Sequence, residues 1–244
     1  PGRKPCRNRL VQQTFQTAGK VRGTEKMNGY FALTPQLVQK DLDALGKYKT
    51  ADVDRLIRGY VKKNADASLL REHVLTQQQF HRIYFYVSLE QIKNVDGRMA
   101  FIHENLLFSD WWHTDELIGY VADLDFEAAL KYAAEYVKSE EPFVRRWGYV
   151  LFISRLGRGH AEQLLPLMKN DGHYYVQMGE AWLISELAVT EPESVHKWMA
   201  TCGLDYKICG KAIQKICDSY RISQDWKEKF KALRAELKNN PEGK

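Results

Sequence analysis

A repeat spacing constrains this chain more than any other feature. Phe80-His-Arg-Ile-Tyr-Phe-Tyr-Val87 aligns with Phe143-Val-Arg-Arg-Trp-Gly-Tyr-Val150; Phe, Arg, Tyr and Val coincide, and Tyr84 stands opposite Trp147. The offset is 63 residues, and half of it lands on Trp111. A step of 31 from Phe143 reaches Tyr174, where Phe152-Ile-Ser154 matches Leu183-Ile-Ser185, and one more step reaches Asp205-Tyr206. Aromatic-led segments therefore recur near 80, 111, 143, 174 and 206, with a shorter helical segment between each pair. A unit of two helices cannot bury its own apolar face, so such units stack. The fold class implied is an all-α, HEAT-like helical repeat solenoid, an α-α superhelix whose inner helices line one concave face.

Local patterning agrees with helices. Thr34 is a capping residue followed by Pro35 at the first helical position. Val53, Leu56, Ile57, Tyr60 and Val61 follow the 3.6-residue period. The spacing predicts helices over 34–45, 51–63, 77–92, 98–107, 112–122, 126–137, 142–156, 160–169, 174–188, 192–200, 205–218 and 224–238. Period-2 alternation never persists, so no strand is predicted.

The formal charge of +5 is unevenly placed. Residues 1–26 hold seven Lys or Arg against Glu25, which leaves 29 basic and 30 acidic residues beyond them. The expectation is a basic, disordered leader over 1–26, with Met27 as the natural start, and a single solenoid domain over 27–244. A basic leader can hold phosphates, but a nearly neutral domain does not by itself argue for nucleic acid. No run of 18 apolar residues exists, so no membrane helix is expected. Cys6, Cys202, Cys209 and Cys217 form no C-x-x-C pair, which disfavours zinc; buried reduced thiols in a cytoplasmic protein are the simplest reading. A monomer is expected.

Three motifs could carry chemistry. Trp111 and Asp115 sit four apart, hence on one helix face. Asp115 reads from spacing alone as a first-turn acid favoured by the helix dipole, or else as a functional carboxylate. Arg145 and Arg146 open an apolar helix, where the same dipole disfavours cations; they are solvated charge or a phosphate contact. Trp182 follows Gly179 and Ala181, which would leave room beside it, and reads as core or as part of a cleft. His103, His113 and His173 lack metal-ligand spacing and read as surface or capping residues. No Gly-rich phosphate loop, H-E-x-x-H or G-x-S-x-G is present, and neither metal nor cofactor is expected.

Taken together, Trp111-x-x-x-Asp115, Phe143-Val-Arg-Arg-Trp147, Tyr174-Tyr-Val-Gln-Met-x-x-Ala-Trp182 and Lys211-Ala-Ile-Gln-Lys-Ile-x-x-Ser-Tyr-Arg221 resemble the AlkD-like DNA alkylation repair family, built of HEAT-like repeats. The resemblance covers about 77–238; residues 27–76 match only in being helical. It implies a monofunctional DNA glycosylase that releases N3- and N7-alkylated purines from duplex DNA without flipping the base into a pocket. These lesions are cationic, so the glycosidic bond is already weakened. By motif, Asp115 would be the carboxylate that stabilises an oxocarbenium-like sugar and places a water. Trp111 and Trp182 would be aromatic flanks, and Arg146, assisted by Arg145, the phosphate clamp. Active members often carry an Arg three residues after the second tryptophan; here Ser185 stands there, which implies a less basic face. The alternative is a non-catalytic solenoid that binds damaged or branched DNA, or a protein; it would show Asp115 buried by a local partner, or a cleft without a continuous basic lining.

Overall fold

The computed structural model describes residues 31–239. The leader expected over 1–26 lies outside the described residues. Helix α1 (Pro35–Ala44) starts as its sequence predicts: the Thr34 side chain accepts the Leu37 N–H at 3.2 Å, with Pro35 at the first helical position. Then follow α2 (Thr50–Lys62), α3 (Gln78–Gln91), α4 (Val95–Glu104), α5 (Trp111–Asp115), α6 (Phe126–Tyr136) and α7 (Pro142–Val150). The chain continues through α8 (Ala161–Leu164), α9 (Tyr174–Thr190), α10 (Pro192–Met199), α11 (Tyr206–Asp218) and α12 (Gln224–Asn239). None of the helices among the described residues is long and apolar enough to cross a membrane.

The repeat is present in space. Helices α3, α5, α7, α9 and α11 begin at or next to the five aromatic-led positions, and α4, α6, α8, α10 and α12 lie between and after them. Helix α7 packs between α5 and α9, and α9 packs against α11, while α6 and α10 back α7 and α9. The fold is therefore an all-α stack of helical repeats, as the spacing predicts. The aligned pair Tyr84 and Trp147 are both buried, inside a core that also holds Phe85, Tyr136, Tyr149, Phe152 and Phe230.

Several boundaries differ from the sequence reading. Two short strands, β1 (Phe31–Ala32) and β2 (Ala65–Asp66), pair in parallel where no strand is predicted. Two residues cannot display an alternation, so periodicity has nothing to detect. A 3-10 helix over Ser68–His73 was likewise silent in the pattern. Helix α4 starts three residues earlier than expected, because the Asn94 side chain accepts the Gly97 N–H at 2.6 Å and draws Gly97 into the first turn. The stretch 160–169 breaks after Leu164 into a 3-10 turn over Leu165–Leu167, where Pro166 has no N–H to donate. Stretch 112–122 becomes α5 and a separate 3-10 turn over Ile118–Val121, and 142–156 becomes α7 and a 3-10 turn over Arg155–Gly157. The predicted helices survive as apolar faces, but their last turns tighten.

One glycine sets how closely α6 and α7 approach. A Cβ at Gly148 would lie 2.9 Å from Val137 Cγ1, 3.1 Å from Tyr136 Cβ and 3.2 Å from the Val137 backbone nitrogen. At Gly210 on α11, the closest atom would be the Tyr206 ring at 3.4 Å, which is ordinary contact. Gly148→Ala is expected to lose about 1–3 kcal/mol in urea denaturation, despite alanine's better helix propensity. Gly210→Ala is expected to be neutral or to gain up to about 1 kcal/mol.

Helix α9 carries a buried acid. Glu180 is fully buried; its Oε1 accepts the Lys169 N–H at 2.6 Å, and its Oε2 has no hydrogen-bond partner among the described residues. Burial pushes its carboxyl up from 4.5 to about 8. The folded chain thus keeps a proton that the unfolded chain releases above about 4.5, so the stability linked to it is complete at acid pH and is lost as pH rises to about 8. Glu180→Gln should be more stable than the wild type at pH 8.5, by on the order of a few kcal/mol, with the gap closing towards pH 5 in chemical denaturation.

Candidate functional site

Helix α5 is five residues long, capped by the Asp110 side chain, which accepts the Trp111 N–H at 2.7 Å. Asp110, not Asp115, is the acid at the helix start. Asp115 ends the helix, so the dipole account of it does not hold. Trp111 is 43% exposed, whereas Trp112 turns inward against His113, with ring centroids 4.0 Å apart. Trp111 and Asp115 share one face by their spacing of four.

Asp115 meets Arg146 of the next inner helix. Arg146 Nη2 donates to Asp115 Oδ1 at 2.8 Å and to Oδ2 at 3.1 Å, and Nε donates to Oδ1 at 3.2 Å. Thr114 Oγ1 adds a donor to Oδ1 at 3.1 Å and accepts from Arg146 Nε at 3.2 Å. Arg146 Nη1 donates to the Tyr175 carbonyl at 2.6 Å, in the first turn of α9. One guanidinium therefore joins α5, α7 and α9. Its side chain is 4% exposed against 19% for Asp115. Oδ1 takes three donors and Oδ2 takes one long contact, so Oδ2 is the oxygen with lone pairs left for a further ligand.

Arg145 points elsewhere. Its Nε and Nη2 bind both oxygens of Asp171 at 2.6 and 3.1 Å, and Nη1 donates to the carbonyls of Ser139 and Glu140, each at 2.9 Å. These partners explain two arginines at a helix start: each cation has an acid from another repeat, which outweighs the dipole. All three nitrogens of both guanidinium groups have partners inside the protein.

Trp182 is partly buried on α9, two turns beyond Tyr175 on the same side. Lys215 Nζ of α11 lies 5.7 Å from its ring centroid. Gly179 does not make room for Trp182 as expected. It makes room for Arg146, whose Cγ and Nη1 would lie 3.3 and 3.4 Å from a Cβ there. Ser185 is buried, and its hydroxyl donates to the Trp182 carbonyl at 2.7 Å, so α9 presents no cation at that position.

Beside Asp115 runs a second polar chain that the sequence reading missed. Arg82 of α3 binds Asp54 of α2 at 2.8 and 2.9 Å and Glu116 at 2.7 Å. Glu116 also shares a 2.7 Å hydrogen bond with His81 Nδ1. His81 is fully buried and stacks on His113 at 3.8 Å; His113 is buried too, rather than at the surface, and its Nδ1 accepts the Ser109 N–H. Burial pushes Glu116 up to about 7 and both histidines down to about 3, each towards its neutral form. A signal for this chain was available: Arg82 and Arg145 occupy the same place in the repeat, and both close on acids of neighbouring repeats.

Removing Arg146 would leave Asp115 with one flanking hydroxyl in a mostly desolvated place. Arg146→Ala is expected to cost about 3–5 kcal/mol in chemical denaturation, while Lys215→Ala, at an exposed residue, should stay within about 0.5 kcal/mol of wild type.

The family model described as DNA alkylation repair enzyme matches residues 11–216. The match begins well before the motifs at 77–238 that carry the resemblance, so the first helices belong to it, and it stops short of α12. Neither a curated protein nor a solved structure matches the chain. With a family model spanning most of its length, and with the repeat stack it folds into, this chain belongs to the DNA alkylation repair enzyme family.

Proposed function

We propose that this protein is a monofunctional DNA glycosylase that removes cationic N3- or N7-alkylpurines from duplex DNA without flipping the base. The carrying observation is Asp115: a partly exposed carboxylate with one oxygen held by Arg146 and Thr114 and the other by a single Arg146 contact, one helical turn from exposed Trp111. In this reading the glycosidic electron pair leaves with the alkylated base, which departs neutral. Positive charge then sits on the sugar beside Asp115, and a water held by Oδ2 adds to the anomeric carbon while its proton passes to that carboxylate. Trp111 and Trp182 offer aromatic faces to the cationic partners. Asp115 needs no pocket for this role, which suits a lesion left in the stack.

The arginines take a different part from the one their motif implies. Arg146 aims Asp115, and Arg145 ties the start of α7 to the loop before α9. The phosphate contact expected of Arg145 and Arg146 has no support from their geometry, since their nitrogens are engaged internally.

A second reading rests on that same pair. With Arg146 closing on Asp115, the stack could bind damaged or branched DNA, or a protein, without excising a base. Both readings meet one assay. A duplex carrying 7-methylguanine should accumulate abasic sites with the wild type, and Asp115→Asn, which keeps an oxygen for Arg146, should slow release about 100-fold or more at unchanged melting temperature. No release by the wild type would leave the binding reading, and equal release by both would remove Asp115 from the chemistry.

A further inference from the structure

Three arginines along the repeat stack are neutralised in place. Arg82 is closed on Asp54 and Glu116, Arg146 on Asp115, and Arg221 on Glu186. A polyanion that meets any of these three guanidinium groups finds its charge already balanced by a carboxylate. Helix α11 is different. Its apolar side buries Ile208, Cys209, Ala212, Ile213 and Ile216. Its opposite side exposes Lys207, Lys211 and Lys215 at steps of four, so they form one stripe with about 6 Å of rise between neighbours. None of the three is in an ion pair among the described residues. The last of them lies over Trp182.

At the far end of the stack, α2 exposes Arg58 and Lys62, but that surface also carries Asp54, Glu90 and the Tyr86 and Tyr120 rings. A phosphate there would lie close to two carboxylates. On α11 Asp218 lies beyond the last lysine and accepts from Gln214 at 2.9 Å. Glu186, one turn past Trp182 on α9, is held by Arg221 at 2.6 Å.

We infer that the lysine stripe Lys207, Lys211 and Lys215 is the phosphodiester-binding wall of this protein, with Lys215 placing a DNA strand against Trp182. The inference rests on the proposed DNA reading and adds its residues. A lysine ammonium over an indole is weakly held when exposed, so Lys215 can leave the ring for a phosphate and open the aromatic face to a base or sugar. Lysines suit the task because their flexible stems follow a backbone without fixing sequence. The cation that α9 does not present at Ser185 is thus supplied from the adjacent helix.

The test is the salt dependence of binding to a fluorescent duplex, measured on the full chain. Each phosphate contact contributes about 0.9 to the slope of log K against log salt. Lys211→Gln with Lys215→Gln should lower the slope by about two, while Lys215→Arg with Lys211 intact should keep it. Lys131→Gln with Lys138→Gln removes equal charge from the α6 side and should leave the slope within error. An unchanged slope in the α11 double variant, or an equal drop in the α6 control, would overturn the inference while leaving DNA binding in place. A wild type with no salt-dependent binding would overturn both this inference and the DNA reading beneath it.

Discussion

The contact on which the site depends is the ion pair of Asp115 and Arg146. Helices α5, α7 and α9 come from three successive repeats, and one guanidinium touches all of them. A cation this buried is costly unless every strong donor finds an acceptor. Two acceptors come from α5, one carboxylate and one hydroxyl, and one is a main-chain carbonyl of α9. The register of the repeats is therefore read out chemically: a shift of one residue in α5 or α9 would remove an acceptor. Gly179 belongs to the same arrangement, because a side chain there would press on Arg146.

The same logic recurs along the stack. Arg82 joins α2 and α3 to Glu116, Arg145 joins α7 to the loop before α9, and Arg221 joins the turn after α11 to Glu186 of α9. Apolar burial supplies most of the driving force for stacking, but it is tolerant of sliding. Charge-assisted hydrogen bonds with fixed fork geometry are not. These pairs also set the local electrostatics. They cancel charge where the candidate carboxylate stands and leave unpaired cations on α11.

Much of this was legible in the chain. The 31-residue register located every inner helix, because each aromatic-led start marks a helix that must bury the side chains following it. Thr34-Pro35 announced α1 through a local hydrogen bond that needs no partner element. Trp111, Asp115 and Trp182 were singled out by spacing and motif. The missed features share a cause. The two strands are too short for a period. The 3-10 turns depend on how a helix end is pulled by its neighbours. His113 looked like a surface residue because nothing local says that His81 stacks on it.

What the sequence determined by itself was therefore the all-α repeat, its period, and the residue types available on the inner helices, since these follow from local propensity and from the periodicity of burial. What only the tertiary structure decided was which charge meets which. Arg145 and Arg146 are adjacent in the chain, yet one turns to Asp171 and the other to Asp115. Side chains one residue apart on a helix diverge by about 100°, so neighbours in sequence face different repeats. The partner of each cation is 26 to 31 residues away, and that distance is crossed only when the repeats stack.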